Sequence, residues 1–212
     1  MKNIYLFLSF FMVCNFYKSQ TVFSDDFESY AVGSYIGTQS SYWTTWSGAT
    51  GGAEDAMVTD TYASSGSNSI GFSSTGTGGP QDVVLDFGTL YNSGIFTLES
   101  DFYIINGKNA YFNLQGSQTI GSIWALNVNM DNGQVVIDDG ATQATGSYTS
   151  ETWFTLKIEA NLTLGVWKAF IDNNLIGTWN NGTNTLASVD LYPIQNSDFY
   201  VDDISFGHQP YT

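Results

Sequence analysis

Apolar and polar residues alternate with a period of two through most of the chain after residue 20. In the segment 96–106, Leu98 and Phe102 fall on one face, whereas Glu99 and Asp101 fall on the other. Successive side chains of a β-strand point to opposite faces of the sheet, so this alternation predicts strands with one buried and one solvated face. No segment has the 3.6-residue apolar stripe of an amphipathic helix. The alternation therefore restricts the chain to an all-β fold.

The alternating segments are short, and clusters of Gly, Asn, Ser and Asp separate them. Strands are predicted at 21–27, 69–73, 82–87, 96–106, 110–117, 122–130, 134–138, 153–161, 165–171, 174–179, 188–193 and 198–206. Asp172-Asn173-Asn174 and Asp131-Asn132-Gly133 are predicted hairpin turns, because these residue types tolerate positive φ. Residues 36–65 are predicted to form long loops. About a dozen strands at this spacing indicate a two-sheet antiparallel β-sandwich of the jelly-roll type.

Acidic residues dominate the charge of the chain. Its 212 residues include 20 Asp and Glu, five Lys, no Arg and one His, which gives a formal net charge of −15. A protein that binds the phosphate backbone of nucleic acids needs a cationic surface, so a nucleic-acid partner is excluded. Aromatic residues make up 16% of the chain, which is too many large apolar groups for a disordered protein.

The N-terminus has the outline of a signal peptide. Lys2 precedes an apolar run from Ile4 to Phe16, and polar residues follow. The run is too short to span a bilayer comfortably, and no later segment approaches the roughly 20 apolar residues of a transmembrane helix. We therefore expect a signal peptide at 1–20, a secreted sandwich domain at 21–207 and a C-terminal tail at 208–212, with no membrane span.

Cys14 is the single cysteine of the chain and lies near the end of the apolar run. A lipid-attachment site needs a small residue immediately before the cysteine, whereas this chain has Val13. We therefore expect cleavage near Gln20 and a mature chain without cysteine. Such a chain has no disulfide bonds, cysteine-metal sites or thiol catalysis.

Several short strings resemble a known domain type. They are Asp25-Asp26-Phe27-Glu28-Ser29-Tyr30, Trp43-Thr44-Thr45-Trp46-Ser47-Gly48, Ser65-Gly66-Ser67-Asn68-Ser69-Ile70, Tyr111-Phe112-Asn113-Leu114-Gln115-Gly116, the segment 153–179 and Phe199-Tyr200-Val201-Asp202-Asp203-Ile204-Ser205-Phe206. In this order, over residues 23–206, they resemble the laminin-G-like, concanavalin A-like domains of secreted bacterial proteins that use type IX secretion. The resemblance implies a jelly-roll sandwich. Lectins, carbohydrate-binding modules, glycosidases and adhesion domains share that fold, so the resemblance alone names no function.

One alternative is catalysis by Glu99 and Asp101. Some glycosidases on this fold carry a Glu-x-Asp-x-x-Glu cluster on one strand, and Glu99-Ser100-Asp101 resembles its beginning. Ile104 stands where the third acid would be. The pair then forms either a divergent glycoside hydrolase site or the polar outer face of a half-buried strand.

The alternation also indicates a polar surface that is suited to sugars. The side chains expected to point away from the core, across one sheet, are those of Glu99, Asp101, Tyr103, Tyr111, Asn113, Gln115, Asn127 and Asn129. Amides and carboxylates hydrogen-bond sugar hydroxyls, and aromatic rings cover the apolar face of a sugar. The alternative is an ordinary solvated sheet face.

Tryptophans are assigned two roles. Trp43 and Trp46, with Tyr42, lie in the irregular early loops. Either they form a stacking platform for a sugar, or at least one of the two tryptophans closes an end of the sandwich. Trp124 and Trp167 lie on core faces by the alternation, and both are expected to be structural.

Acidic residues gather near both ends of the predicted domain. Asp26 and Glu28 lie by the first strand, and Asp202 and Asp203 lie on opposite faces of the last strand. Related sandwich modules often hold a structural calcium between these ends, and Ca²⁺ prefers carboxylate and carbonyl oxygens. The sequence therefore predicts Ca²⁺ at these four residues, with Glu54 and Asp55 as further candidates. The alternative is that all these acids are solvated.

We expect a secreted, non-catalytic recognition domain at the cell surface or outside the cell, which binds a glycan or another cell-surface component. Two alternatives remain at this point. The chain is either a structural or adhesive module of a larger secreted protein, or the divergent glycoside hydrolase described above.

Overall fold

A computed structural model describes residues 20–74 and 76–211, so the predicted signal peptide and Cys14 lie outside the described residues apart from Gln20. The strands are β1 (Gln20–Asp25), β2 (Trp43–Thr45), β3 (Met57–Thr59), β4 (Ser69–Ser73), β5 (Val83–Tyr91), β6 (Ile95–Ile104), β7 (Ala110–Gln115), β8 (Trp124–Asp131), β9 (Gln134–Asp138), β10 (Thr142–Ser147), β11 (Phe154–Asn161), β12 (Val166–Ile171), β13 (Asn174–Asn180), β14 (Leu186–Leu191) and β15 (Asp198–Gln209). One short 3₁₀ turn, Ile36–Thr38, is found among these residues.

The described strands form two antiparallel sheets. An eight-stranded sheet has the order β13-β12-β11-β6-β15-β4-β3, with β1 paired to β15. A seven-stranded sheet has the order β10-β9-β8-β7-β14-β5-β2. This arrangement confirms the predicted all-β, two-sheet antiparallel sandwich.

The core lies between the inner faces of the two sheets. Phe102 of β6 and Phe112 of β7 stack across it with ring centroids 5.4 Å apart. Trp167 is fully buried, as predicted, and its Nε1 donates to Asn184 Oδ1 over 2.8 Å. Burial of these large side chains supplies the main stabilisation of a chain that relies on no disulfide among its described residues.

Most of the predicted boundaries lie within two residues of the observed ends of the strands. The predictions for β4 and β9 match them residue for residue, and the turn before β13 has positive φ at Asp172 (48°) and Asn173 (64°). Three strands were not predicted: β2 and β3, which are only three residues long, and β10. The last strand continues to Gln209 instead of ending at Phe206, so His208, which was assigned to a tail, pairs with Phe96 of β6.

None of the helical structure in the described residues is long and apolar enough to cross a membrane.

Candidate functional site

The residues predicted to form one polar sheet face lie on two different sheets. Glu99, Asp101 and Tyr103 belong to β6 in the eight-stranded sheet. The residues on β7 and β8 belong to the seven-stranded sheet: Tyr111, Asn113, Gln115, Asn127 and Asn129. The prediction of a single face was therefore wrong, because alternation gives the parity of a side chain within its strand but not the sheet to which the strand belongs.

A hydrogen-bonded chain of polar side chains crosses the outer face of the seven-stranded sheet. Asn113 Nδ2 donates to Asp190 Oδ2 over 2.7 Å. Gln115 Nε2 donates to Asn113 Oδ1, and the backbone N–H of Gly121 donates to Gln115 Oε1 over 3.0 Å. Asn113, Gln115 and Asp190 are all buried, so Asn113 and Gln115 form the base of the surface instead of projecting from it.

Tyr111 and Asn127 continue this polar base toward β8. The hydroxyl of Tyr111 donates to Asn127 Oδ1 over 2.7 Å. Burial, with a smaller effect of the Asp190 and Asp82 charges, raises the pKa of the Tyr111 hydroxyl to about 12. The hydroxyl therefore keeps its proton at neutral pH and acts as a hydrogen-bond donor.

Two tryptophans stand above the polar base. Trp124 is 45% exposed, which corrects the prediction that it belongs to the core. A bulge causes the difference: Leu114 pairs with Leu126 but Gln115 pairs with Trp124, so Ala125 is an extra residue on β8. Ala125 is buried in place of Trp124, and the indole turns outward.

Trp46 is partly exposed, and its ring centroid lies 6.1 Å from that of Trp124. Gly121 fixes one side of the Trp46 indole. A Cβ atom at this position would lie 2.6 Å from Trp46 Cζ2, and Gly121 has a φ of +74°. Both observations require glycine there, because a side chain would strain the backbone and push the indole away.

Trp43, the other predicted platform residue, has a structural role. It is 2% exposed, and its Nε1 donates to Asp25 Oδ2 over 3.0 Å. This indole closes the sandwich near Phe27, whose ring centroid is 6.0 Å away. Trp43 is therefore unavailable to a ligand.

The two tryptophans, part of the polar base and two acids line an open cavity of about 320 Å³. Its lining includes Trp46, Trp124, Tyr111, Tyr192, Asp82 and Asp190. A volume of this size suits one sugar ring or a little more. The cavity combines aromatic walls with a floor of hydrogen-bonding groups.

Asp82 and Asp190 were not among the predicted site residues, and they are in contact at the floor of the cavity. Both side chains line the cavity, and the buried Oδ1 atom of each receives no hydrogen bond from the described residues, so a proton on one carboxyl would let the two groups pair. Burial, with the adjacent Asp190 charge, raises the pKa of Asp82 to about 8. Burial also raises the pKa of Asp190. The sequence signal for Asp190 was its outward parity between Val189 and Leu191 on a strand.

The outer face of the eight-stranded sheet is covered differently. Tyr62 stacks on Tyr103 with ring centroids 4.4 Å apart, and it meets Tyr200 edge-on at 4.9 Å. Asp101 accepts hydrogen bonds from Thr155 Oγ1 and Ser64 Oγ. Tyr103 and Asp101 therefore anchor the loop that crosses this face, and the alternative of a glycoside hydrolase site at Glu99 and Asp101 stays a prediction.

The predicted calcium ligands lie close together, but two of them already have backbone partners. Asp202 accepts the N–H groups of Ser64 and Ser65 at Oδ2 and that of Asp203 at Oδ1. Glu28 Oε1 accepts the N–H groups of Ser67 and Asn68, each over 2.7 Å. These carboxylates hold the loop against the sheet.

Asp203 does not point away from Asp202 as predicted. A bulge between Asp202 and Ser205 places Asp203 at a φ of +47°, and its Oδ1 accepts Ser65 Oγ on the same loop. Asp26 and Asp203 both line a cavity of about 390 Å³. Over residues 20–74 and 76–211, no group of three or more His, Cys, Asp or Glu side chains is arranged to hold a metal ion. The calcium remains a prediction.

The further candidates Glu54 and Asp55 stabilise loops. Glu54 Oε1 accepts the N–H of Ser47 over 2.8 Å. Asp55 is buried, and its carboxylate accepts the N–H groups of Gly37, Gly51 and Ala56. Three backbone donors satisfy this carboxylate without a cation.

No protein-family model and no curated protein matches the sequence. Among solved structures, a cellulose-induced protein, Cip1, superimposes with a TM-score of 0.61 at 17% identity, covering 89% of this chain and 98% of that one. A Bacillus subtilis protein of unknown function with a galectin-like fold superimposes with a TM-score of 0.58 at 11% identity, covering 91% and 98%. The chain therefore shares a two-sheet β-sandwich fold with these proteins.

A third similar structure is the carbohydrate-binding module CBM66 from Bacillus subtilis. Its TM-score is 0.50 at 15% identity, and the match covers 78% of this chain and 95% of that one. At these identities the similarity establishes the β-sandwich fold alone, so the function has to be argued from the residues of the cavity.

Proposed function

We propose that this protein is a secreted, non-catalytic carbohydrate-binding domain whose ligand occupies the outer face of the seven-stranded sheet. The observation that carries the proposal is the cavity between Trp46 and Trp124, whose aromatic walls stand over a hydrogen-bonded polar floor. Sugars present hydroxyl groups around an apolar ring face, and this cavity offers partners for both.

The fixed geometry of the cavity supports binding. Asn113, Gln115 and Asp190 are held by hydrogen bonds to one another, and Gly121 fixes both the end of this chain and the Trp46 indole. A ligand therefore meets side chains that are already ordered, which reduces the entropic cost of binding. One similar structure is named as a carbohydrate-binding module and another as a protein with a galectin-like fold, and both names agree with this proposal.

Secretion and calcium complete the proposal. Residues 1–20 are expected to direct export, and a mature N-terminus near residue 21, measured by mass spectrometry of the exported protein, would support it. The calcium is proposed near Asp26 and Asp203, which line one cavity. Its role would be structural, since the lining of that cavity includes neither Trp46 nor Trp124.

A glycan array followed by calorimetry tests the binding. Trp124→Ala should abolish or strongly weaken binding of any glycan that the wild-type domain retains. Tyr211→Ala is a matched control, because Tyr211 is an exposed aromatic residue that does not line this cavity. Binding to no glycan, with calcium present, would contradict the proposal and favour a structural module.

A further inference from the structure

The floor of the cavity carries negative charge that the described part of the chain does not neutralise. Asp190 is 3% exposed and lines the cavity. Buried Oδ1 atoms of both Asp190 and Asp82 receive no N–H or O–H donor from the described residues. A proton shared by the two carboxyl groups is the available donor, and the pair then keeps one negative charge.

The lysines of the described residues lie elsewhere. Lys168 Nζ is 2.8 Å from Glu159 Oε1. Lys157 Nζ lies 4.6 Å from the Phe170 ring centroid. Lys108 Nζ donates to Asn196 Oδ1 over 3.2 Å. None of them lines the cavity.

We propose that the cavity binds the protonated amino group of a sugar, so that its ligand is a glycan with unacetylated amino-sugar units. This inference rests on the proposed function and specifies its ligand class. An ammonium group brings three N–H donors, which match the two carboxyl groups at the floor. The rings of Trp46, Trp124 and Tyr111 around the floor add cation–π attraction.

Proton balance follows from the shared proton. When the ammonium group binds, both carboxyl groups become ionised and the proton between them leaves to solvent. One positive charge enters as one proton departs, so the net charge of the site is unchanged. Two other titratable groups, Glu54 and Tyr111, lie near the carboxyl pair. The negative charge of Glu54 further favours a bound cation, whereas Tyr111 keeps its proton and stays neutral.

The same floor disfavours acidic glycans. A uronate carboxylate placed beside Asp190 would meet a like charge in a partly dehydrated cavity, where repulsion is stronger than in water. A neutral glycan would leave the shared proton in place and donate its own hydroxyl groups to the carboxyl oxygens that face the cavity. The three ligand classes are therefore separable by affinity and by proton release.

Calorimetry separates them with three short oligosaccharides of equal length: deacetylated chitosan, N-acetylated chitin and a neutral cellulose fragment. We expect the deacetylated form to bind at least about tenfold more tightly at pH 7, which corresponds to about 1.4 kcal/mol. Buffers of different ionisation enthalpy report proton release. On binding the deacetylated oligosaccharide, the wild-type protein should release close to one proton more than the Asp82→Asn variant does. Any proton exchanged by the amine of the ligand is the same for both proteins and cancels in this difference.

Asp82→Asn should weaken the preference for the amine, because only Asp190 can then be ionised beside the ammonium group. It should retain binding of the neutral fragment, because the asparagine amide imitates the protonated carboxyl. Asp60→Asn is the control, because it makes the same Asp-to-Asn substitution at an exposed residue that does not line the cavity. Equal affinity for the three oligosaccharides, or equal proton release in wild type and Asp82→Asn, would overturn the inference and leave the proposed function standing. Binding of none of the three, or of any array glycan, would overturn both.

Discussion

Replacing Asp82 by Asn should change the pH dependence of stability. The folded protein holds a proton on Asp82 up to a pKa of about 8, because the carboxyl is buried beside Asp190, whereas the unfolded chain loses it near 3.8. The folded state therefore binds more protons between these values. Its stability is greatest at low pH and falls as the pH rises through about 8.

The size of the effect follows from linkage. With these two pKa values, raising the pH from 6 to 9 would lower the free energy of unfolding by about 2.7 kcal/mol. Asp82 retains partial exposure, so hydration of the ionised carboxyl reduces the expected loss to roughly 1–2 kcal/mol. In Asp82→Asn this contribution disappears, and the variant should become more stable than wild type at pH 9.

Urea unfolding, followed by tryptophan fluorescence at pH 6, 7, 8 and 9, measures both proteins. Asp60→Asn serves as the control and should follow wild type. The backbone contacts of residue 82 should survive the substitution, since its N–H donates to Glu54 O and its carbonyl accepts from Trp46 N. Parallel curves for wild type and Asp82→Asn would refute the reasoning, because they would mean that Asp82 ionises alike in the folded and unfolded chains.

Three further substitutions and one change of solution conditions should have separable effects. Trp124→Ala should weaken glycan binding about tenfold by calorimetry while changing the free energy of unfolding by less than about 1 kcal/mol, because the indole is half exposed. Gly121→Ala should weaken binding of the same glycan, since its Cβ would displace Trp46; unchanged affinity would contradict the assignment of Trp46 to the site. Asp202→Ala should cost about 2–4 kcal/mol in urea unfolding, because three backbone N–H groups lose their acceptor, and a cost within error of zero would refute that role. If the predicted calcium binds, the melting temperature should be higher with excess calcium than with chelator at fixed ionic strength, and equal melting would contradict it.

Alternation was sufficient to predict the fold class and most strands. The predictions for β4 and β9 were correct to the residue, and the core position of Trp167 was confirmed. Each depends on a local pattern in which polar and apolar residues keep strict register over the whole strand. Such patterns are visible in a sequence because strand geometry repeats every two residues.

The site was predicted only in part, because it depends on which strands lie side by side. Tyr103 and Tyr111 have the same outward parity, yet they lie on opposite sheets. Asp190 reaches Asn113 because β14 pairs with β7 across a sequence separation of 77 residues. Neither relation leaves a short-range trace in the sequence. The bulges at Ala125 and Asp203 likewise reverse or rotate side chains that strict alternation assigns elsewhere.

The bulge in β8 makes the proposed binding surface sensitive to the number of residues in the strand as well as to their chemistry. Ala125 contributes a small buried side chain, yet its presence as an additional residue decides whether the neighbouring indole faces solvent or the interior. Deleting that one residue would restore continuous pairing and direct a tryptophan toward a full core, whereas substituting it by another small residue would leave the surface intact. A single-residue deletion scan through β8 would therefore reveal a determinant of recognition that a complete set of point substitutions would miss.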